Sequence, residues 1–192
     1  MKKIFQIEPS LDEDEKKEIL EVMDSGWYTE SSKTREFENR FAEYTGSKYA
    51  IAVTSGTTAL YMGLKSLGIG KGDEVIVPNY TMIASINSIK HLGFIPVIID
   101  VNPNTFSIDI EDVKKNVTNK TKAILHVSIN NRYTNMNDFV VYCKENNLYL
   151  VEDAAQSMGC CPDDKALGTY GDIGCFSLST PKIISTGQGG FC

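Results

Sequence analysis

The sequence is poor in the residues that build metal centres and disulfide frameworks. It has two histidines, His91 and His126, and its five cysteines (Cys143, Cys160, Cys161, Cys175 and Cys192) form no C-x-x-C pair. No metal site is expected from so few ligands, and the thiols read as free and mostly buried in a reducing compartment. No apolar run is long enough for a signal peptide or a membrane span, and Met1-Lys2-Lys3-Ile4-Phe5-Gln6 leads at once into a charged helix. A cytoplasmic protein without membrane contact is expected. There is no basic stripe with interleaved aromatics, and the net charge of -6 disfavours a nucleic-acid surface. No dinucleotide fingerprint or phosphate loop occurs in the right context, because the glycine-rich Gly68-Ile69-Gly70-Lys71-Gly72 lies between a helix and a strand.

What remains is an ordinary globular composition. With 192 residues, 42% hydrophobic and 23% charged, the chain supports a single domain over 1–192 with a substantial core. Helical and strand signals alternate, which predicts an α/β fold with a mostly parallel sheet and helices on both faces. The first helix is expected to start at Ser10, with Glu13 as its capping-box partner, and to stop near Gly26. A second, over 33–44, repeats Phe37, Phe41 and Tyr44 at helical spacing before the terminator Gly46. Strands are predicted at 49–53, 74–77, 96–99, 123–127, 148–151 and 174–177. Helical crossovers follow at 57–67, 80–91, 108–117 and 135–146, as parallel strands require. Residues 187–192 read as a turn entering another strand, which suggests a piece of a longer chain.

Ligands in such a sheet gather at the carboxyl ends of the strands, and three features fall there in order. Ser55-Gly56-Thr57-Thr58 joins a strand to a helix, where unpaired N–H groups and the helix dipole attract an anion. The same turn also reads as a plain helix cap. Asp153 follows the apolar run 148–151, so its carboxylate is expected to be short of water and to want a cationic partner, or else to cap a helix from Ala154. Lys182 follows a candidate strand and a Ser-Thr-Pro turn, so its amine can reach back across the edge, although alone it reads as a surface lysine. Ser177 can donate to an anion from the opposite side. An anion cradle, an acid and an amine suit pyridoxal 5'-phosphate (PLP), which needs a phosphate site, a carboxylate beside its ring nitrogen and a lysine for its aldehyde.

These features sit among longer stretches that carry a resemblance. Ser25-Gly26-Trp27-Tyr28-Thr29, Ser55 to Leu60, Gly72 to Pro78, Val151 to Ser157, Gly171-Asp172-Ile173-Gly174, and Lys182 with Thr186 to Gly190 resemble, in order, the DegT/StrS-type sugar-nucleotide aminotransferases. That family has the large PLP-binding domain of fold type I (aspartate aminotransferase-like) followed by a small C-terminal domain, which is absent from this chain. The resemblance implies that Lys182 holds the cofactor aldehyde and that Asp153 pairs with the ring nitrogen. It further implies that Gln156 contacts the ring hydroxyl, and that Gly56, Thr57 and Ser177 hold the phosphate. Met82 stands where the family usually places an aromatic ring against the cofactor face. Trp27, Tyr28 and Thr29 fall in a segment near the sugar-nucleotide site in the family; apart from the resemblance they read as packing residues.

The implied activity is amination of a nucleotide-linked 4-keto-6-deoxysugar, of the perosamine and viosamine type, with glutamate as donor and a homodimer as the full-length form. A dehydratase branch carries histidine in place of the lysine, so Lys182 favours transamination. Residues 128–136 replace the commoner Tyr-Gly-x-Pro-type loop, and Ser179 stands where many relatives carry histidine or an aromatic; both are expected to affect sugar preference. Two alternatives remain at this stage: a truncated, non-catalytic domain that binds PLP or a partner, and an aminotransferase for 3-keto sugars.

Overall fold

The computed structural model describes residue 3 and residues 8–192. The expectation placed on residues 1–6 therefore lies, Lys3 apart, outside the described residues. From Glu13 onward helices and strands alternate as the sequence predicts. Helix α1 spans Glu13–Ser25 and α2 Ser32–Thr45, each closed by a left-handed glycine, Gly26 and Gly46. After them come β1 (Ala52–Val53), α3 (Gly56–Ser66), β2 (Glu74–Pro78), α4 (Ile83–His91) and β3 (Ile95–Ile99). The rest is α5 (Ile110–Asn116), β4 (Thr121–Val127), α6 (Met136–Asn146), β5 (Tyr149–Asp153), β6 (Ile173–Ser177) and β7 (Gly190–Phe191).

The start of α1 corrects the sequence expectation. Asp12, not Ser10, is the N-cap: its carboxylate accepts the Asp14 N–H at 2.9 Å, and Glu15 accepts the Asp12 N–H at 2.7 Å. The two frames share the same box pattern, but an aspartate followed three residues later by glutamate offers charged acceptors to both orphan donors.

The strands form one seven-stranded sheet in the order β1-β7-β6-β5-β4-β2-β3, in which only β7 runs against its neighbours. The pleat divides the core into two layers. Val75, Val77, Ala123, Leu125 and Val151 pack with Leu60, Leu64 and Ile89 from α3 and α4. The alternate residues Ile76, Ile124 and Leu150 pack with Val113 and Phe139 from α5 and α6. The central strands β2, β4 and β5 are thus buried on both faces, as in a doubly covered parallel sheet. A fully buried Leu or Ile contributes about 1.5–3 kcal/mol by leaving water. The third cluster ties α2 to the antiparallel corner, with Phe41 stacked on Phe191 at 4.2 Å and edge-on to Phe176 at 5.0 Å.

The sheet's carboxyl edge is where β5 ends in Asp153, β6 ends in Ser177 and α3 begins at Gly56. The site is built there.

Candidate active site

Helix α3 starts at that edge because Ser55 caps it, its hydroxyl accepting the Thr58 N–H at 3.1 Å. The helix ladder cannot supply acceptors to the N–H groups of Gly56 and Thr57, which lie in its first turn. They remain available to an anion, with the positive end of the helix dipole behind them. The cap and the anion site, alternatives in the sequence, coexist in the structure. Gly56 is required for a separate reason: a Cβ there would lie 2.7 Å from Ser177 Cβ.

Alternation along β5 gives its two acids opposite tasks. Glu152 is 1% exposed and faces the loop before β6, where it accepts the N–H groups of Gly168 at 2.8 Å and Gly171 at 2.7 Å. Burial pushes its carboxyl pKa up, and the N–H groups of Gly171, Gly168 and Tyr170 pull it back. Asp153 turns the other way. It is 5% exposed, its Oδ2 accepts the Ser85 hydroxyl at 2.7 Å, and its Oδ1 accepts the Ala155 N–H at 3.2 Å. Burial pushes its pKa up, while those two bonds and the Lys182 charge oppose the shift. No helix begins at Ala154, so the helix-cap reading of Asp153 does not hold.

Lys182 lies in the turn after β6, fixed by its own N–H donating to the Ser179 carbonyl at 2.9 Å. It is half-buried and, among the described residues, is part of no ion pair closer than 4 Å. A cavity of about 260 Å³ brings it together with Asp153, Gly56, Thr57, Met82, Gln156 and Ser177. Met82 sits there 65% exposed, at the residue preceding α4. Gln156 accepts the Asn130 N–H on its side-chain oxygen at 3.1 Å, which leaves its amide N–H groups uncommitted.

Trp27, Tyr28 and Thr29 do not join this cavity. Trp27 donates its indole N–H to the Glu30 carbonyl at 2.8 Å and lines a surface groove with Lys33 and Ser31. Tyr28 is 71% exposed. A wider groove of about 890 Å³ runs beside α2 and the loop before β6, and none of the sequence's candidates lines it. The chemistry-bearing residues converge on the smaller cavity, which is the candidate site.

Thr81 and Ser85 escaped the sequence reading. Both are small hydroxyl residues near a helix start, 68 residues from Asp153 in the case of Ser85, and nothing local marks that pairing. Gln188 and Ser179 also line the cavity.

The chain is similar over nearly its whole length to proteins of known kind. A GDP-perosamine synthase of Escherichia coli O157:H7 is 41% identical over 191 residues, covering 99% of this chain and 52% of the relative. The X-ray structure of an aminotransferase from Psychrobacter cryohalolentis superposes with a TM-score of 0.91 at 37% identity, covering 96% of this chain and 48% of that one. The crystal structure of GDP-4-keto-6-deoxymannose-3-dehydratase with a trapped PLP-glutamate geminal diamine superposes with a TM-score of 0.94 at 33% identity, covering 98% and 50%. The chain spans about half the length of these relatives. The sequence model of the DegT/DnrJ/EryC1/StrS aminotransferase family matches residues 9–192, and the chain belongs to that family.

Proposed function

We propose that the full protein is a PLP-dependent aminotransferase that converts a nucleotide-linked 4-keto-6-deoxysugar to the 4-amino sugar with glutamate as donor. One observation carries the reading: the Lys182 amine, the buried Asp153 carboxylate and the unpaired N–H groups at the start of α3 line a single cavity. The residues fit the cofactor. A Cβ at Gly56 would fill the anion cradle's wall against Ser177, and Asp153 is a buried acid whose burial penalty is offset only in part by its two hydrogen bonds.

PLP, when bound, supplies an electron sink for the carbon that bears the amino group. The N–H groups of Gly56 and Thr57, with the Ser177 hydroxyl, would hold its phosphate. Asp153 would keep the proton on its ring nitrogen, and the Gln156 amide would donate to its ring hydroxyl. Lys182 Nζ would hold the aldehyde, then serve as the base that takes the proton from the donor's amino carbon and as the acid that returns it. Trp27, Tyr28 and Thr29 belong to this proposal as sugar-nucleotide contacts in the full-length assembly, since each is exposed here.

A GDP-linked ketosugar is the first substrate to test, because relatives named GDP-perosamine synthase match at 41% and 42% identity. The dehydratase alternative is disfavoured by the lysine at position 182. A homodimer is supported by exposed apolar residues, Met82 in the cavity lining and Ile83 and Ile183 next in sequence to lining residues. A cytoplasmic site of action is supported by five cysteines without a disulfide; among the described residues no helix is long and apolar enough to cross a membrane.

The test is to add PLP, reduce with borohydride and map the modified peptide. A stable adduct on Lys182 that Lys182→Ala lacks is expected, and the full-length enzyme should aminate the GDP-ketosugar with glutamate. Full turnover by Lys182→Ala would overturn the mechanism.

A further inference from the structure

Asp153 is gripped from α4 by a side chain that departs from the habit of its helix. Ser88, in the same helix, donates its hydroxyl to the Ala84 carbonyl at 2.8 Å, the usual fate of a mid-helix serine. Ser85 is just as buried, at 0% exposure, yet reaches across to Asp153 Oδ2 at 2.7 Å.

The proton bookkeeping of this contact fixes a direction. An ionised carboxylate only accepts, so the single Ser85 proton is committed to Asp153. The 2.8 Å contact between Ser85 Oγ and Thr81 Oγ1 must then be made with the Thr81 proton. The result is a chain of donors, Thr81 to Ser85 to Asp153, whose outer member lines the cavity.

We propose that Ser85, oriented by Thr81, is a positioning residue that holds the Asp153 carboxylate as an anion aimed into the cavity. The consequence for catalysis rests on the reading of Asp153 as partner of the PLP ring nitrogen. The other groups facing Asp153 cannot substitute for the relay. The Lys182 amine favours the anion through its charge, but it makes no hydrogen bond to the carboxylate. Cys175, the register partner on β6, is a buried thiol that burial and the Asp153 charge keep neutral. On β4 the register partner is Val127, while His126 pairs with Glu152. The α3 residues at the cavity, Gly56, Thr57 and Leu60, do not titrate.

The experiment follows the carboxylate itself. The chain is labelled with 13C at aspartate carboxyls, and the Asp153 signal is assigned by its loss in Asp153→Asn. Its titration is then recorded without added PLP for the parent, Ser85→Ala and Thr81→Val. Ser85→Ala should raise the Asp153 midpoint by about one pH unit, tenfold in proton affinity, and Thr81→Val should shift it the same way by less. A midpoint unmoved in both, with only a lowered unfolding temperature, would mean that Ser85 merely packs, and the proposal would fall. Should Ser85→Ala not fold, Thr81→Val, which keeps the side-chain volume, decides alone. A second measurement with ring-15N PLP separates the two layers. If the Asp153 midpoint moves but the bound ring nitrogen is unprotonated in the parent, the relay stands and the assignment of Asp153 to the ring nitrogen fails.

Discussion

Gly56 and Ser177 meet face to face where α3 crosses the end of β6: a Cβ on Gly56 would stand 2.7 Å from Ser177 Cβ and 3.0 Å from its Oγ. The approach of helix to strand therefore sets the width of the anion cradle, and a single methyl is enough to pry it open.

Gly56→Ala should lower stability by about 1–3 kcal/mol, the range for forced overpacking, and weaken PLP binding at least tenfold. Adding Ser177→Gly to it should restore much of the stability, because the contact is relieved, but not the affinity, because a donor is lost. Thermal unfolding and an absorbance titration with PLP measure the two effects separately.

Glu152 is a structural acid beside a chemical one. Glu152→Ala leaves the N–H groups of Gly168 and Gly171 without acceptors in a closed loop, at about 1–3 kcal/mol for each unpaired group. Glu152→Gln keeps one acceptor oxygen and should cost about half as much by urea unfolding. In the glutamine variant the borohydride adduct on Lys182 should still form, since Glu152 faces away from the cavity.

His126 gives the fold a sensitivity to acid. It is fully buried, and burial lowers its pKa from 6.5 to about 4. Below pH 6.5 the unfolded chain binds a proton that the folded chain refuses, so stability falls as pH drops from 6.5 towards 4. The raised carboxyl groups of Glu152 and Asp153 act with the opposite sign, which makes a difference measurement necessary. His126→Leu should be close to neutral at pH 7, because it also removes the unpaired Nδ1. By pH 4 the variant should have gained about 3 kcal/mol on the parent, at 1.36 kcal/mol per pH unit.

The loop after β4 holds two consecutive left-handed asparagines, Asn130 with φ 49° and Asn131 with φ 59°. Their N–H groups donate to the Gln156 side chain at 3.1 Å and to its carbonyl at 3.2 Å. Asn131→Gly should be tolerated, whereas Asn131→Val should cost about 1–2 kcal/mol, the steric penalty of that conformation. Because relieving the strain moves the backbone N–H that the Gln156 carbonyl accepts, the valine variant should also shift the absorbance of bound PLP, which the glycine variant should not.

Central strands were legible because a strand buried on both faces needs a nearly continuous apolar run, and 148–151 and, His126 apart, 123–127 are such runs. The first strand was read too long. Of 49–53 the strand proper keeps only Ala52 and Val53, paired with the two residues of β7, and Ile51 extends the ladder by exchanging backbone hydrogen bonds with Cys192 at 2.8 and 3.1 Å. Helix α4 begins at Ile83 and not at Tyr80; residues 79–82 are spent on the turn that carries Thr81 and Met82 to the cavity. Gly56, Asp153 and Lys182 could be found because each lies at a strand or helix end, where local pattern and site geometry coincide. The Ser85 contact could not, because a serine inside a helix carries no sign of which distant carboxylate it meets. Trp27 and Tyr28 mark a further limit: both are exposed, and their hydrogen bonds reach only neighbours in sequence, from Met23 to Glu30.

The position of β7 has a bearing on the order of folding. Strands β2 to β6 pair with neighbours made close to them in time, whereas Ala52 must wait for Phe191, and the Phe41 ring for the same residue. Closing a loop that encompasses most of the chain delays that corner relative to the rest of the sheet. The parallel strands can therefore assemble as an early unit while α2 and β1 remain a loose flank, and the strand-to-helix junction that presents Gly56 is sealed only when Gly190 and Phe191 slide between β1 and β6.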